Sequence, residues 1–150
     1  MTGFLSDRDY AFVYSRVPRI CVSVVLTSGQ GVALVKRVQP PAQGLWHLPG
    51  GRIFKGETVE QAAIRVLKRE LGILPAYFIL ADVSYIENLS ESYAPGLDIH
   101  NIDIVLRAES SSEVFAPEKG EGEPRWFKDL PPRDEWSVKH IEFLRVRGFL

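Results

Sequence analysis

Hydrophobic positions along this chain fall into short blocks, and their spacing changes from one block to the next. Over residues 7–17, Tyr10, Val13 and Tyr14 recur at helical spacing, Ser6 and Asp7 offer N-caps, and Pro18 closes the segment; a short leading helix is expected. Residues 20–26 are rich in β-branched side chains, Ser28-Gly29-Gln30-Gly31 is turn chemistry, and residues 32–38 are apolar again. That sequence of signals predicts a hairpin. Pro40, Pro41 and Gly44 then interrupt, and residues 46–48 read as a short strand.

The next block returns to helical spacing. Val59, Ala62, Ala63, Val66 and Leu67 form an apolar stripe, Thr58 and Gln61 suit a capping box, and Gly72 with Pro75 supplies a stop, so a helix is expected over 58–71. Strands are expected over 76–87 and 101–108, joined by a polar loop through Asn88, Ser90, Ser92, Pro95 and Gly96 on the substrate side. After a polar stretch over 109–122, residues 124–128 read as a strand. Pro131-Pro132 breaks the chain, and Asp134 is placed to cap a last helix carrying Trp136, Ile141 and Leu144.

With 150 residues, 45% of them hydrophobic, there is enough apolar material for one domain with a substantial core. Lys and Arg number 18 against 19 Asp and Glu, so no global field favours nucleic acid or an anionic membrane, and anion recognition has to be local. The single Cys21 sits in an apolar run, which suits a buried, inert thiol and a reducing compartment. Charged residues arrive before any signal-peptide core could form, and no apolar run has membrane-spanning length; a cytoplasmic protein is the expectation.

Chemistry concentrates between residues 46 and 73. Trp46-His47-Leu48-Pro49-Gly50-Gly51-Arg52 runs into Glu57, Arg65, Glu70, Leu71, Gly72 and Ile73. Two glycines let backbone approach an anion, Arg52 adds positive charge, and a carboxylate on the following helix can share a divalent cation with phosphate oxygens.

This stretch resembles the Nudix box, in which a glycine, five residues, a glutamate and seven more residues precede R-E-hydrophobic-x-E-E-x-G-hydrophobic. Gly51, Glu57, Arg65, Leu67, Glu70, Gly72 and Ile73 match it, whereas Val66 and Arg69 stand where the family usually places metal-binding glutamates. The flank Pro41-Ala42-Gln43-Gly44-Leu45-Trp46, after Lys36-Arg37, is similar to the GDP-mannose mannosyl hydrolase branch, which also lacks those two glutamates. The resemblance implies an α+β fold, an α/β/α sandwich with a mixed β-sheet between helices. It also implies that the Gly50 carbonyl and Glu70 bind Mg²⁺, with Mn²⁺ as the alternative, that Arg37 and Arg52 neutralise a leaving diphosphate, and that Glu57 and Arg65 pair to brace the loop of Gly51.

Helix positions 66, 69 and 70 share one face, so three carboxylates there would hold several hard cations; with Glu70 alone, fewer are expected. Attack at phosphorus benefits from several cations, whereas attack at an anomeric carbon expels a diphosphate that is already a stable anion. The base is harder to place. The branch puts Gln-His in the loop before Arg125-Trp126, and this chain has Gly120-Glu121 there. Glu121 is a candidate base or metal ligand, Glu118 or Glu123 a candidate further ligand, and a solvated acidic loop is the alternative for all three. Among the histidines, His100 is the spare base candidate, while His47 suits packing and His140 the surface of the last helix. Trp46, Trp126 and Trp136 read as core rather than as base-stacking platforms, a role left to aromatics of the leading helix or of a second subunit.

The expected activity is Mg²⁺-dependent hydrolysis of a small-molecule nucleotide sugar, GDP-mannose first among substrates, with nucleic acid and membrane excluded as partners and a homodimer admitted. Phosphoanhydride cleavage of a nucleotide or nucleotide sugar, and a binding module without turnover, are the alternatives.

Overall fold

The computed structural model describes residues 5–39, 43–86, 99–136, 142 and 144–149, with the backbone alone over 80–86. The elements are α1 (Asp7–Tyr14), β1 (Arg19–Ser28), β2 (Gly31–Lys36), β3 (Trp46–His47), β4 (Gly50–Arg52), α2 (Val59–Leu71), β5 (Ile79–Ile86), β6 (Asn101–Glu109) and β7 (Pro124–Phe127). They form a seven-stranded mixed sheet in the order β3-β2-β1-β6-β5, with β4 on β1 and β7 on β2.

At the centre, β1 runs parallel to β6 from Arg19 beside Asn101 to Thr27 beside Glu109, while its other edge is divided. Cys21, Val22 and Ser23 pair with β4, and Thr27 and Ser28 pair with β2. Splitting that edge opens a gap between β4 and β2, and the site lies there.

Strand alternation sorts β1 onto two faces. Val22, Val24 and Leu26 pack with Ala62, Ala63, Val66, Leu67 and Leu71 of α2, and Val25 packs on the other side with Leu34, Trp46, Leu48, Trp136 and Leu144. The sheet is thus covered by α2 on one face and by the C-terminal segment, helical at 144–146, on the other. This is the α/β/α sandwich of the α+β class expected from the sequence.

Helix α2 forms for the reasons its sequence carries. Thr58 Oγ1 accepts from Gln61 N at 3.1 Å and Gln61 Oε1 accepts from Thr58 N at 2.9 Å, closing the capping box. At the other end Gly72 takes φ +68, and a Cβ there would stand 2.2 Å from the Ala116 carbonyl oxygen. Glycine therefore both ends the helix and lets residues 116–118 cross it.

Three expectations need correction. The diglycine is not a loop but β4, because Gly50 lies close enough to β1 to join its ladder. Trp136 is not in a helix: Asp134 lies inside the 3₁₀ turn Arg133–Glu135, which has no side-chain cap, and Trp136 then bridges Trp46 in extended conformation. The leading helix stops at Tyr14, short of Val17. The polar loop through Asn88 and Gly96, together with His140 and Ile141, lies outside the described residues. Among the described residues no helix is long and apolar enough to cross a membrane.

Candidate functional site

A cavity of about 560 Å³ opens between β4, the C-terminal half of α2, the end of β2 and α1. Its lining includes Arg19, Lys36, Arg37, Arg52, Arg65 and Arg69, against the three carboxylates of Asp7, Glu70 and Glu121. Six cations to three anions give the hollow a positive lining in a chain with net charge −1, although Arg65 is paired with Glu57 and Arg69 with Glu70 and Glu121.

Its floor is set by β4. The bonds from Val24 N to the Pro49 carbonyl and from Ile53 N to the Ile20 carbonyl fix which residues of β4 bond to β1. Gly50, opposite Ser23, falls between them, so its own N–H and carbonyl face away from β1 on the cavity side. A side chain at 50 is excluded, since a Cβ would lie 2.7 Å from the Val22 carbonyl oxygen. Gly51 differs: its Cβ would meet Val66 Cγ2 at 3.4 Å and Arg69 Nη2 at 3.7 Å, ordinary contact, and it is not among the glycines with positive φ. Neither conformation nor packing demands glycine at 51, and its hydrogen keeps room open above Arg69.

Glu57 and Arg65 tie the segment after β4 to α2. Arg65 Nε donates to Glu57 Oε1 at 2.6 Å and Nη2 donates to Oε2 at 2.8 Å, while Nη2 also reaches the Arg52 carbonyl at 2.8 Å. Glu57 Oε2 further accepts from Phe54 N at 2.9 Å. Those bonds hold the Glu57 carboxyl below its ordinary value, Arg65 contributing most.

Glu70 points from α2 toward Gly50 and is 5% exposed. Burial pushes its carboxyl up to about 7, against the pull of Arg69 and the Gly50 backbone. Arg69 Nη2 donates to Glu70 Oε1 at 2.8 Å, and Oε2 is buried with no hydrogen-bond partner among the described residues. Arg69 Nε stands 3.2 Å from Glu121 Oε1 in an ion pair, although the N–H is not aimed well enough for a hydrogen bond. Burial alone would lower the Arg69 guanidinium, but the Glu70, Glu121 and Glu118 carboxylates outweigh it and push it up.

Glu121 arrives from the loop that crosses the end of α2. Ala116 N donates to the Leu71 carbonyl and Glu118 N to the Arg69 carbonyl, both at 2.8 Å, so the chain here satisfies carbonyls the helix leaves open. Gly122 then passes so near β2 that a Cβ would stand 1.9 Å from the Lys36 carbonyl oxygen. Glu118 and Glu123 do not line the cavity, and Glu123 pairs with Arg125 at 2.7 Å instead.

Arg52 lines the cavity beside Tyr14, whose hydroxyl accepts from Nη1 at 3.0 Å, and lies 5.0 Å from the Phe54 ring centre. Arg37 lines it from the end of β2, its Nε donating to the Gln39 carbonyl at 3.3 Å. His47 also faces the cavity. Its Nδ1 is 2.5 Å from the Leu48 carbonyl, and because a carbonyl only accepts, Nδ1 carries the proton. His100 is exposed and not part of the lining. Trp46 and Trp136 are core, and Trp126 stacks on Phe115.

Lining residues not singled out from sequence as part of a site include Tyr10, Arg19, Cys21 and Lys36. Arg19 is tied to α1 and β6, with Nη1 donating to Tyr10 Oη at 2.5 Å and Nε to Asn101 Oδ1 at 2.6 Å. The available signal was an arginine opening an otherwise apolar strand, next to tyrosines four apart on one helix face.

Among the described residues no group of three or more His, Cys, Asp or Glu could hold a metal. The orphaned Glu70 Oε2 and the cavity-facing Gly50 carbonyl nevertheless fit one hard cation, whose remaining ligands would be water and phosphate oxygens.

Residues 17–144 match the NUDIX domain family, and the chain belongs to it. It is 30% identical over 129 residues to the low-salt glycan biosynthesis protein Agl8 of Haloferax volcanii, covering 77% of this chain and 82% of the relative. It is 38% identical over 58 residues to an ADP-ribose pyrophosphatase of Methanocaldococcus jannaschii, a match confined to 39% of this chain and 34% of that protein. The crystal structure of a MutT NUDIX hydrolase from Burkholderia pseudomallei superposes with a TM-score of 0.71 at 28% identity, covering 87% of this chain and 98% of the other.

Proposed function

We propose that this Nudix hydrolase acts on a nucleoside-diphosphate sugar, GDP-mannose being the first substrate to test, and breaks the bond between the sugar's anomeric carbon and the phosphate oxygen. The observation that carries this reading is the state of the two altered box positions. Val66 is fully buried in the α2 core and Arg69 is paired with Glu70, so the face that would gather cations holds a guanidinium beside one carboxylate. A site built this way suits departure of an intact diphosphate better than attack at phosphorus. The glycan-biosynthesis relative supports a sugar-bearing substrate.

In this reading Arg52 and Arg37 bind the diphosphate, and the Glu57–Arg65 pair holds the backbone of Arg52 in place. Glu121 is the candidate base: it takes a proton from water as the water oxygen bonds to the anomeric carbon, the carbon–oxygen bond breaks, and GDP leaves whole. A bound divalent cation, Mg²⁺ or Mn²⁺ held by Glu70 and the Gly50 carbonyl, supplies charge neutralisation on the leaving group.

Phosphoanhydride cleavage is the second reading, favoured by the pyrophosphatase relative and by the cationic cavity. Hydrolysis of GDP-mannose in oxygen-18 water separates the two. Label on mannose with unlabelled GDP is expected; label on GMP or on mannose 1-phosphate means attack at phosphorus. Tight binding of nucleotide sugars without turnover would favour a binding module.

A further inference from the structure

Arg69 stands where the box pattern has a glutamate, and its surroundings give it a job. Its side chain is 31% exposed and lines the cavity, with Glu70 on Nη2 and Glu121 near Nε. Two carboxylates thus stand at Nε and Nη2 of the planar group, and Nη1 is the nitrogen that neither of these contacts uses. Above Nη2 is the room that the hydrogen of Gly51 leaves open. An arginine serving only as a counter-ion would need no such space beside it.

We propose that Arg69 binds the diphosphate of the substrate directly, as a resident cation built into α2. The proposal rests on reading this cavity as a diphosphate site, and it adds a ligand for that group beyond Arg37 and Arg52. A guanidinium has five donors in a fixed fork, so one can stay with Glu70, with Glu121 beside Nε as counter-ion, while others reach phosphate oxygens. Glu70 and Glu121 then act as positioning residues for the fork. A lysine at 69 could keep the charge but not the geometry.

The test is calorimetric titration of the whole protein with inorganic pyrophosphate in the presence of a chelator, which needs neither a metal nor knowledge of the sugar. The native protein should bind measurably. Arg69→Ala should weaken binding by at least about tenfold and Arg69→Lys by less, as loss of a charge-assisted bond predicts. Removing Arg69 also leaves Glu70 and Glu121 without their counter-ion, so the same titration is made with both glutamates changed to glutamine, in a double variant that keeps Arg69 and in a triple variant that carries Arg69→Ala as well. A loss on going from the double to the triple variant supports direct contact. No loss there would reduce Arg69 to a neutraliser and overturn the proposal, as would unchanged affinity in Arg69→Ala or no chelator-resistant binding by the native protein. Thermal melting of each variant checks that the fold persists; if Arg69→Ala unfolds, Arg69→Lys carries the comparison, and native affinity there overturns the proposal. Chelator-resistant pyrophosphate binding is independent of which bond of GDP-mannose breaks, so the labelling experiment can fail while this one succeeds, and the reverse.

Discussion

Arg65 grips both oxygens of Glu57, at 2.6 and 2.8 Å, and spends another hydrogen bond on the Arg52 carbonyl. A helix residue thereby fixes the backbone that presents the cavity-lining Arg52. The pair ties the strand that floors the cavity to the helix that walls it.

Its pH dependence follows from the sign of the shift. The Glu57 carboxyl is held below its ordinary value of 4.5, so its stabilisation is fully present above that value and is lost as pH falls through the lower folded value. Glu57→Gln should cost about 1–2 kcal/mol at neutral pH, the scale of hydrogen bonds to a charged group. Urea denaturation from about pH 6 down to pH 3 should show the native protein converging on the variant; parallel curves would mean that the pair contributes nothing.

Glu70→Gln keeps the shape of the side chain and removes the charge that draws a hard cation. Affinity for Mn²⁺, read by electron paramagnetic resonance, should fall at least about tenfold. An unaltered titration would remove Glu70 from any metal site.

Cys21 lines the cavity, yet burial pushes its thiol up to about 11. At pH 8 only about one thiol in a thousand is then thiolate. Alkylation by iodoacetamide in the folded state should be far slower than in urea, and rapid folded-state labelling would contradict the suppressed thiolate of this half-buried side chain.

The parts of this molecule that were legible in sequence are those written in local chemistry. The capping box of Thr58 and Gln61, the left-handed Gly72 and the β-branched run of β1 each declare themselves within a few residues, and the structure follows them. Glu57 and Arg65 lie on one gapped motif. What sequence left open depends on distant approach. That Gly50-Gly51 is a strand is decided by β1, that Trp136 leaves its helix is decided by its bridge to Trp46, and that Arg19 enters the cavity is decided by Tyr10 and Asn101. Arg69 was visible as an anomaly, but only the crossing of residues 116–121 over α2 shows which carboxylates meet it.

The two glycines of β4 should part company on mutation, and the contrast tests the site directly. Gly50→Ala places a methyl 2.7 Å from the Val22 carbonyl oxygen and 2.9 Å from Ser23 Oγ, so β4 must shift from β1 and stability should drop by about 1–3 kcal/mol. Gly51→Ala meets no such obstacle. Its methyl makes ordinary contact at 3.4 and 3.7 Å, and restricting the unfolded chain should even add about 0.5 kcal/mol. That same methyl fills the room above Arg69, so pyrophosphate affinity and turnover should both decline, by about tenfold. Melting temperatures alongside kcat and KM decide the matter: a Gly51→Ala protein that is stable but weak in binding marks the space as the ligand's. One that binds normally would show that the space is not the ligand's, and one that melts together with Gly50→Ala would show that the second glycine serves the fold.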